Sequence, residues 1–202
     1  MRRRALFLSA ATILAAPPGK SLAGRGDPRR LKIRHAANDA VFSGSYHNGR
    51  EPDAVAMREL SEVLADTRSG TVRAFDPEAI DILWELGQRQ RVAEFLVLSG
   101  YRTPETNKAV HGAGDSQHLR AAALDLQIAS SRFEGFSDAA LRLGRGGVGL
   151  YPGQGFIHID SGPVRRWGGA ATVTAVRAAP RARSAAEIRL DQMAEAWAST
   201  RR

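Results

Sequence analysis

Gly147-Val148-Gly149-Leu150-Tyr151 and Phe156-Ile157-His158-Ile159-Asp160 are two apolar stretches joined by Pro152-Gly153-Gln154-Gly155. Short apolar runs around such turn residues read as a closing pair of β-strands. In the second strand, period two puts His158 on one face with Phe156 and Asp160. A similar combination occurs upstream. Ser116-Gln117-His118 leads through Ala121-Ala122-Ala123 into Leu124-Asp125-Leu126, a predicted strand over residues 124–128. Asp125 is an ionisable group inside an otherwise apolar strand. Burying a carboxylate alone is costly, so it must be paired or bound to a metal.

Working outward, residues 31–36 and 41–46 read as a hairpin. Asp53 is placed to cap a helix whose apolar face is Ala56, Met57, Leu60, Val63 and Leu64. Asp76-Pro77 opens a second helix, with proline at the first helical position and Ile80, Leu83, Trp84 and Gly87 inward. Residues 94–99 contain Phe95-Leu96-Val97-Leu98, a central buried strand ended by Ser99-Gly100. Thr103-Pro104-Glu105 opens a helix capped by Thr103, and Ser137 is expected to cap another helix through Leu143. Strands and helices are mixed without regular βα alternation. The expected class is therefore α+β, with a mainly antiparallel sheet flanked by helices.

The 202-residue chain has no cysteine, which excludes disulfides, thiolate metal sites and cysteine nucleophiles. A transition metal must use His, Asp or Glu. Four of the eight net positive charges fall in residues 1–23 (Arg2, Arg3, Arg4 and Lys20), leaving +4. That balance suits an anionic polymer such as cell wall. No basic run is interleaved with aromatics, so nucleic acid is not the expected partner. Residues 1–23 combine the arginines with a short apolar stretch and Ser21-Leu22-Ala23. They read as a signal peptide cleaved after Ala23, with an Arg pair that fits the twin-arginine route to the periplasm. The apolar stretch is too short for a stable membrane anchor. Residues 168–186 read as a linker rich in Ala, Arg, Gly and Pro. Ile188, Leu190, Met193, Ala194 and Trp197 then mark a short C-terminal amphipathic helix.

Two imidazoles and one carboxylate, from His118, Asp125 and His158, are a donor set for zinc with a position open to water. Zinc lowers the pKa of such a water to about 7. A hydrogen-bonded core His–Asp pair has the same local pattern, and the spacing alone leaves both readings open.

At these residues the chain resembles the YcbK-like murein endopeptidases of the D-alanyl-D-alanine peptidase, lysostaphin and hedgehog-like zinc group. The likeness covers residues 29–167. It is carried by Tyr46-His47-Asn48-Gly49-Arg50, Asp76-Pro77, Ser99-Gly100-Tyr101-Arg102-Thr103-Pro104, Ser116-Gln117-His118, Ala123-Leu124-Asp125, Gly147-Val148-Gly149-Leu150-Tyr151-Pro152 and Phe156 through Arg165. It implies a zinc peptidase domain over 29–167, Zn2+ held by His118, Asp125 and His158, and peptidoglycan peptide stems as substrate. It implies Arg102 near the metal, polarising the substrate carbonyl, with pairing to an acid such as Glu105 as the plainer reading. Tyr101 and Ser116 are expected to contact substrate at the cleft.

Two departures stand out. Ala121 replaces a glycine that is usual between the first His and the Asp. Gly155 and Phe156 stand where relatives place a Glu or a His base, so the general base is unassigned, with Asp160 and His111 as candidates. Asp160 also fits a role in orienting His158. The missing Glu motivates an alternative, an exported peptidoglycan-binding module that keeps fold and metal with little catalysis. His35 lies outside every matched motif and is expected to affect neither metal nor activity.

Overall fold

The computed structural model describes residues 26–169, so the expected signal peptide and C-terminal helix lie outside the described residues. Among the described residues, seven strands form one sheet: β1 (Arg29–His35), β2 (Val41–His47), β3 (Phe95–Ser99), β4 (Ala123–Gln127), β5 (Gly147–Tyr151), β6 (Phe156–Asp160) and β7 (Arg165–Gly168). Four α-helices accompany them: α1 (Ala54–Val63), α2 (Pro77–Gln90), α3 (Pro104–Ala109) and α4 (Ser130–Leu143). The α+β class is as expected.

The sheet, however, is mixed rather than mainly antiparallel. Its order is β2-β1-β3-β4-β6-β5-β7, and both β1–β3 and β5–β7 are parallel. Parallel neighbours need a crossover connection, and α1 and α2 supply it between β1 and β3. β7 has no sequence signal of its own, because Arg165-Arg166-Trp167-Gly168 is a short, charged edge strand.

Most helix starts follow their caps. Asp53 accepts from the N–H groups of Val55 and Ala56, Asp76 from Glu78, and Thr103 from Thr106. Ser137 corrects the expectation made for it. It lies inside α4, which starts at Ser130, and its hydroxyl donates to the Phe133 carbonyl at 2.7 Å. A serine satisfied by the preceding turn is no cap.

One sheet face carries the core. Ile33, Val97, Leu126 and Ile157 are fully buried there, together with Leu124 and Ile159. Ile80, Leu83 and Leu86 of α2 and Phe136 of α4 belong to the same apolar cluster. The opposite face is crossed by one register row: Ser99 beside Asp125, Asp125 beside His158, His158 beside Gly149, and Gly149 beside Trp167.

The loop after α1 is tied down by Asp66, which is buried. Its carboxylate accepts from the N–H groups of Thr103 (2.7 Å), Arg68 (2.9 Å) and Ser69 (3.3 Å). Burial alone would raise its pKa, but the Thr103 and Arg68 N–H groups and the Thr106 hydroxyl hold it at about 2. Asp66→Ala strands buried donors and should cost about 2–3 kcal/mol in urea denaturation. The folded-state pKa lies below the ordinary 3.8, so this contribution is complete above about pH 4 and fades as pH falls towards 2. A variant as stable as wild type at neutral pH would contradict the assignment.

Candidate metal centre

His118 follows Ser116, whose hydroxyl accepts from the His118 N–H at 3.4 Å and opens a 3-10 turn over Gln117–Arg120. The turn ends at Ala121, which has φ 54°. The glycine that the resemblance leads one to expect there would carry no Cβ penalty in this left-handed conformation. The chain then enters β4, where Asp125 faces His158 of β6 directly.

The three side chains form a small triangle, all buried. His118 Nε2 lies 3.2 Å from Asp125 Oδ1 and 3.2 Å from His158 Nδ1, and His158 Nδ1 lies 2.9 Å from Asp125 Oδ1. Ligands bound at about 2.0–2.1 Å to a tetrahedral ion stand roughly 3.3 Å apart, so the spacing fits a zinc-sized cation.

The outer hydrogen bonds decide which atoms face inward. His118 Nδ1 is 2.6 Å from the Gly100 carbonyl, which can only accept, so Nδ1 carries the hydrogen and Nε2 is the free lone pair. His158 Nε2 is 2.9 Å from Asp160 Oδ2, so His158 turns Nδ1 inward. Two imidazole lone pairs and one carboxylate oxygen thus converge, an arrangement suited to a cation.

Charge distribution agrees with the geometry. Burial lowers the His118 pKa, which keeps that ring neutral despite Asp125. Burial also opposes protonation of His158, but hydrogen bonds to Asp125 and Asp160 raise its pKa. Burial would raise Asp125, yet His118 and His158 hold it far below the usual carboxylate range. The His158 Nδ1 lone pair that would bind a metal is the one a proton takes, so metal and proton compete for it.

Arg102 pairs with an acid, but the acid is Asp125 rather than Glu105: Nη2 donates to Oδ2, and Nε donates to Ser99 Oγ at 2.8 Å. Asp160 is 0% exposed. Besides His158 it accepts from the N–H groups of Gly147 (3.0 Å) and Gly162 (2.8 Å), and from both terminal nitrogens of Arg165 (3.0 and 2.8 Å). Burial opposes ionisation, but these donors and His158 keep its pKa at about 2.

Local sequence assigns no role to Arg165 or Trp167, because β7 carries no strand signal of its own. Trp167 lies 5.0 Å from the His158 ring and donates to the Tyr151 hydroxyl at 2.8 Å. Gly149 makes room for it, because a Cβ there would sit 2.5 Å from the indole. Gly100 is constrained in the same way, since a Cβ would meet the Leu64 carbonyl oxygen at 2.5 Å. The triad opens into a cleft of about 850 Å3, lined also by Tyr101, Arg102, Ser116 and the exposed His111. Tyr101 is mostly buried, with Arg73 5.9 Å from its ring centre. His35, set aside from sequence, lines the same cleft.

Comparison with known proteins gives this centre its context. Residues 24–167 match the M15 peptidase family model described as peptidoglycan L,D-endopeptidase MepK. The peptidoglycan L,D-endopeptidase MepK of Escherichia coli (strain K12) is 29% identical over 178 residues, spanning 82% of this chain and 96% of that protein. The probable peptidoglycan L,D-endopeptidase MepK of Haemophilus influenzae is 33% identical over 151 residues, spanning 70% of this chain and 80% of that protein. A match over this length, joined to a buried His-Asp-His triangle at the base of a cleft, makes the chain a member of the M15 peptidase family of MepK-type metallopeptidases.

Proposed function

We propose that the chain is an exported zinc endopeptidase that hydrolyses peptide crosslinks of bacterial peptidoglycan, with residues 29–167 as the peptidase domain. The observation that carries this reading is the triangle of His118 Nε2, Asp125 Oδ1 and His158 Nδ1, each fixed from behind and exposed to one cleft. The relatives are named L,D-endopeptidases. An amide from an L-centre to a D-centre matches the diaminopimelate–diaminopimelate link, whereas the D-alanine–diaminopimelate link joins two D-centres. The former is the substrate proposed here.

A zinc ion held there supplies Lewis-acid polarisation of an amide carbonyl and acidifies water to near neutral pH. The chain's own groups do the rest. Arg165 fixes Asp160, and Asp160 fixes the His158 ring. Arg102 holds Asp125 and, from the cleft wall, can donate to a carbonyl oxygen as negative charge develops on it. Ser116 and Tyr101 contact the stem. Asp160 is enclosed by donors and orients rather than accepts a proton. His111 and Asp115 are exposed acceptors on the wall, and His111 is the proposed proton carrier.

His118→Ala, Asp125→Ala and His158→Ala should each lose zinc and sacculus digestion together. Elemental analysis with a full zinc complement in all three would sink the ligand assignment. Mass analysis of wild-type products should show diaminopimelate–diaminopimelate cleavage. A zinc-loaded protein that binds sacculi without cutting them would instead be a wall-binding module.

Arg102→Lys keeps the charge but loses the planar, two-directional donor set, so it should lose about 10²–10³ in rate with zinc retained. Zinc lost in step with rate would confine Arg102 to positioning Asp125. In the same assay His111→Ala should slow turnover at full zinc content, and an unaltered rate would remove His111 from catalysis.

Export predicts a mature N-terminus near Gly24. N-terminal sequencing of periplasmic protein tests this, and retention of residues 1–23 on the active exported form would contradict it.

A further inference from the structure

The walls of the cleft are unlike. Four Tyr, Phe or Trp side chains line it. Tyr101 is buried, whereas Tyr151, Phe156 and Trp167 are half-buried and stand on β5, β6 and β7. The loop after α1 and the segment between α3 and β4 line it with polar groups, among them Asp66, Thr67 and Ser116. We infer that Tyr151, Phe156 and Trp167 form an apolar wall for the methylene chain of the diaminopimelate that gives the scissile carbonyl, and so set specificity without taking part in the chemistry. This rests on the proposed endopeptidase reading.

Strand register builds the wall. His158 pairs with Asp125 and Gly149, and Gly149 pairs with Trp167. Two residues back along β6, Phe156 pairs with Gln127 and Tyr151. Residues two apart in a strand share a face, so Phe156 and Tyr151 stand on the His158 face in the row next to the metal ligands. The Tyr151 and Phe156 rings stack at 4.3 Å and 14°. Trp167 donates to the Tyr151 hydroxyl at 2.8 Å and lies 5.0 Å from the His158 ring. The three rings are thus one connected surface that starts at a ligand ring.

The wall is fixed before anything binds, by the stack and by the indole hydrogen bond, which reduces the ordering needed on binding. The indole N–H is spent on Tyr151, and Arg165, the charged neighbour on β7, is engaged by Asp160. What the wall offers is mainly ring carbon, against which an aliphatic chain loses water favourably.

Two features choose the occupant. Because the wall is contiguous with His158, a group lying on it belongs to a residue next to the amide being cut. In a diaminopimelate–diaminopimelate crosslink both neighbours carry a trimethylene chain. That of the carbonyl-giving residue is pendant and free to lie against a side wall. That of the amine-giving residue runs on into the next stem and cannot turn aside without carrying the stem with it.

The test uses the zinc-loaded mature protein and sugar-free crosslinked peptides. The carbonyl-giving diaminopimelate is kept, replaced by L-norleucine, which keeps the trimethylene and removes the charged end, or replaced by L-alanine, which removes both. For wild type, kcat/KM should fall about tenfold or more from the norleucine to the alanine substrate. Phe156→Ala should keep its zinc and lose most of this difference, falling about tenfold on norleucine and staying within about twofold of wild type on alanine. Trp167→Ala should behave alike, and if it sheds zinc, Phe156→Ala decides. Calorimetry of a stem peptide ending in diaminopimelate should show a negative heat-capacity change in wild type that shrinks in Phe156→Ala, the mark of apolar burial on binding.

Equal losses on the norleucine and alanine substrates would overturn the wall, as would a wild type that does not tell them apart. An effect of Phe156→Ala confined to substrates carrying the disaccharide would also overturn it, since the rings would then serve the glycan. Stem binding that depends on Phe156 in a protein that cuts no crosslink would keep the wall and reject the endopeptidase reading. Crosslink cleavage with stem binding indifferent to Phe156 would do the reverse.

Discussion

Asp125 and His158 sit opposite each other across two antiparallel strands, and the candidate site depends on that register. Side chains alternate across a sheet, so a slip of one residue would bring Leu126 to the cleft face and send Asp125 into the apolar core. Two features resist such a slip. Leu124 and Leu126 in β4, and Ile157 and Ile159 in β6, are buried on the core face and fix the pleat. A buried carboxylate also demands partners, and this register delivers a histidine to it from the neighbouring strand.

The rest of the centre follows from holding those groups in one orientation. Each of the three has a second contact directed away from the triangle: the Gly100 carbonyl for His118, Asp160 for His158, and Arg102 for Asp125. These contacts lie on different elements. Gly100 and Arg102 follow β3, Asp160 ends β6, and Arg165 in β7 clamps Asp160. The sheet order β3-β4-β6-β5-β7 is therefore also the order in which the centre is supported. The two glycines that permit close approach, Gly100 and Gly149, stand where a backbone or an indole passes within contact distance.

Much of the fold was legible because local rules governed it. The caps Asp53, Asp76 and Thr103, and the apolar strands ended by glycine or proline, announce their elements. Ser137 misled because a serine hydroxyl bonds a preceding carbonyl inside a helix as readily as it caps one. The parallel pairings were not legible, since strand order is a long-range property and β7 is a short charged edge. At the site, His118, Asp125 and His158 were suggested by ionisable groups in apolar strands, while their joint assignment to a metal needed the family resemblance. The Arg102–Asp125 pair, the Arg165 clamp and the Asp66 tie join residues 23, 5 and 37 positions apart. Of these, only contacts within a few residues leave a trace in local sequence, and the Arg165 clamp was hidden with β7. His35 lies outside every matched motif, and the lack of a partner for its buried Nε2 is a property of the folded surroundings that local sequence does not carry.

In the proposed centre, His118, Asp125 and His158 together hold one metal ion through Nε2, Oδ1 and Nδ1. Anomalous diffraction from crystals of the zinc-loaded protein, collected on both sides of the zinc absorption edge, tests it most directly. A single strong peak bonded to those three atoms is expected, with His118 Nδ1 still on Gly100 and His158 Nε2 still on Asp160. A peak elsewhere, or a zinc-loaded protein in which either histidine has turned its other nitrogen to the ion, would contradict it.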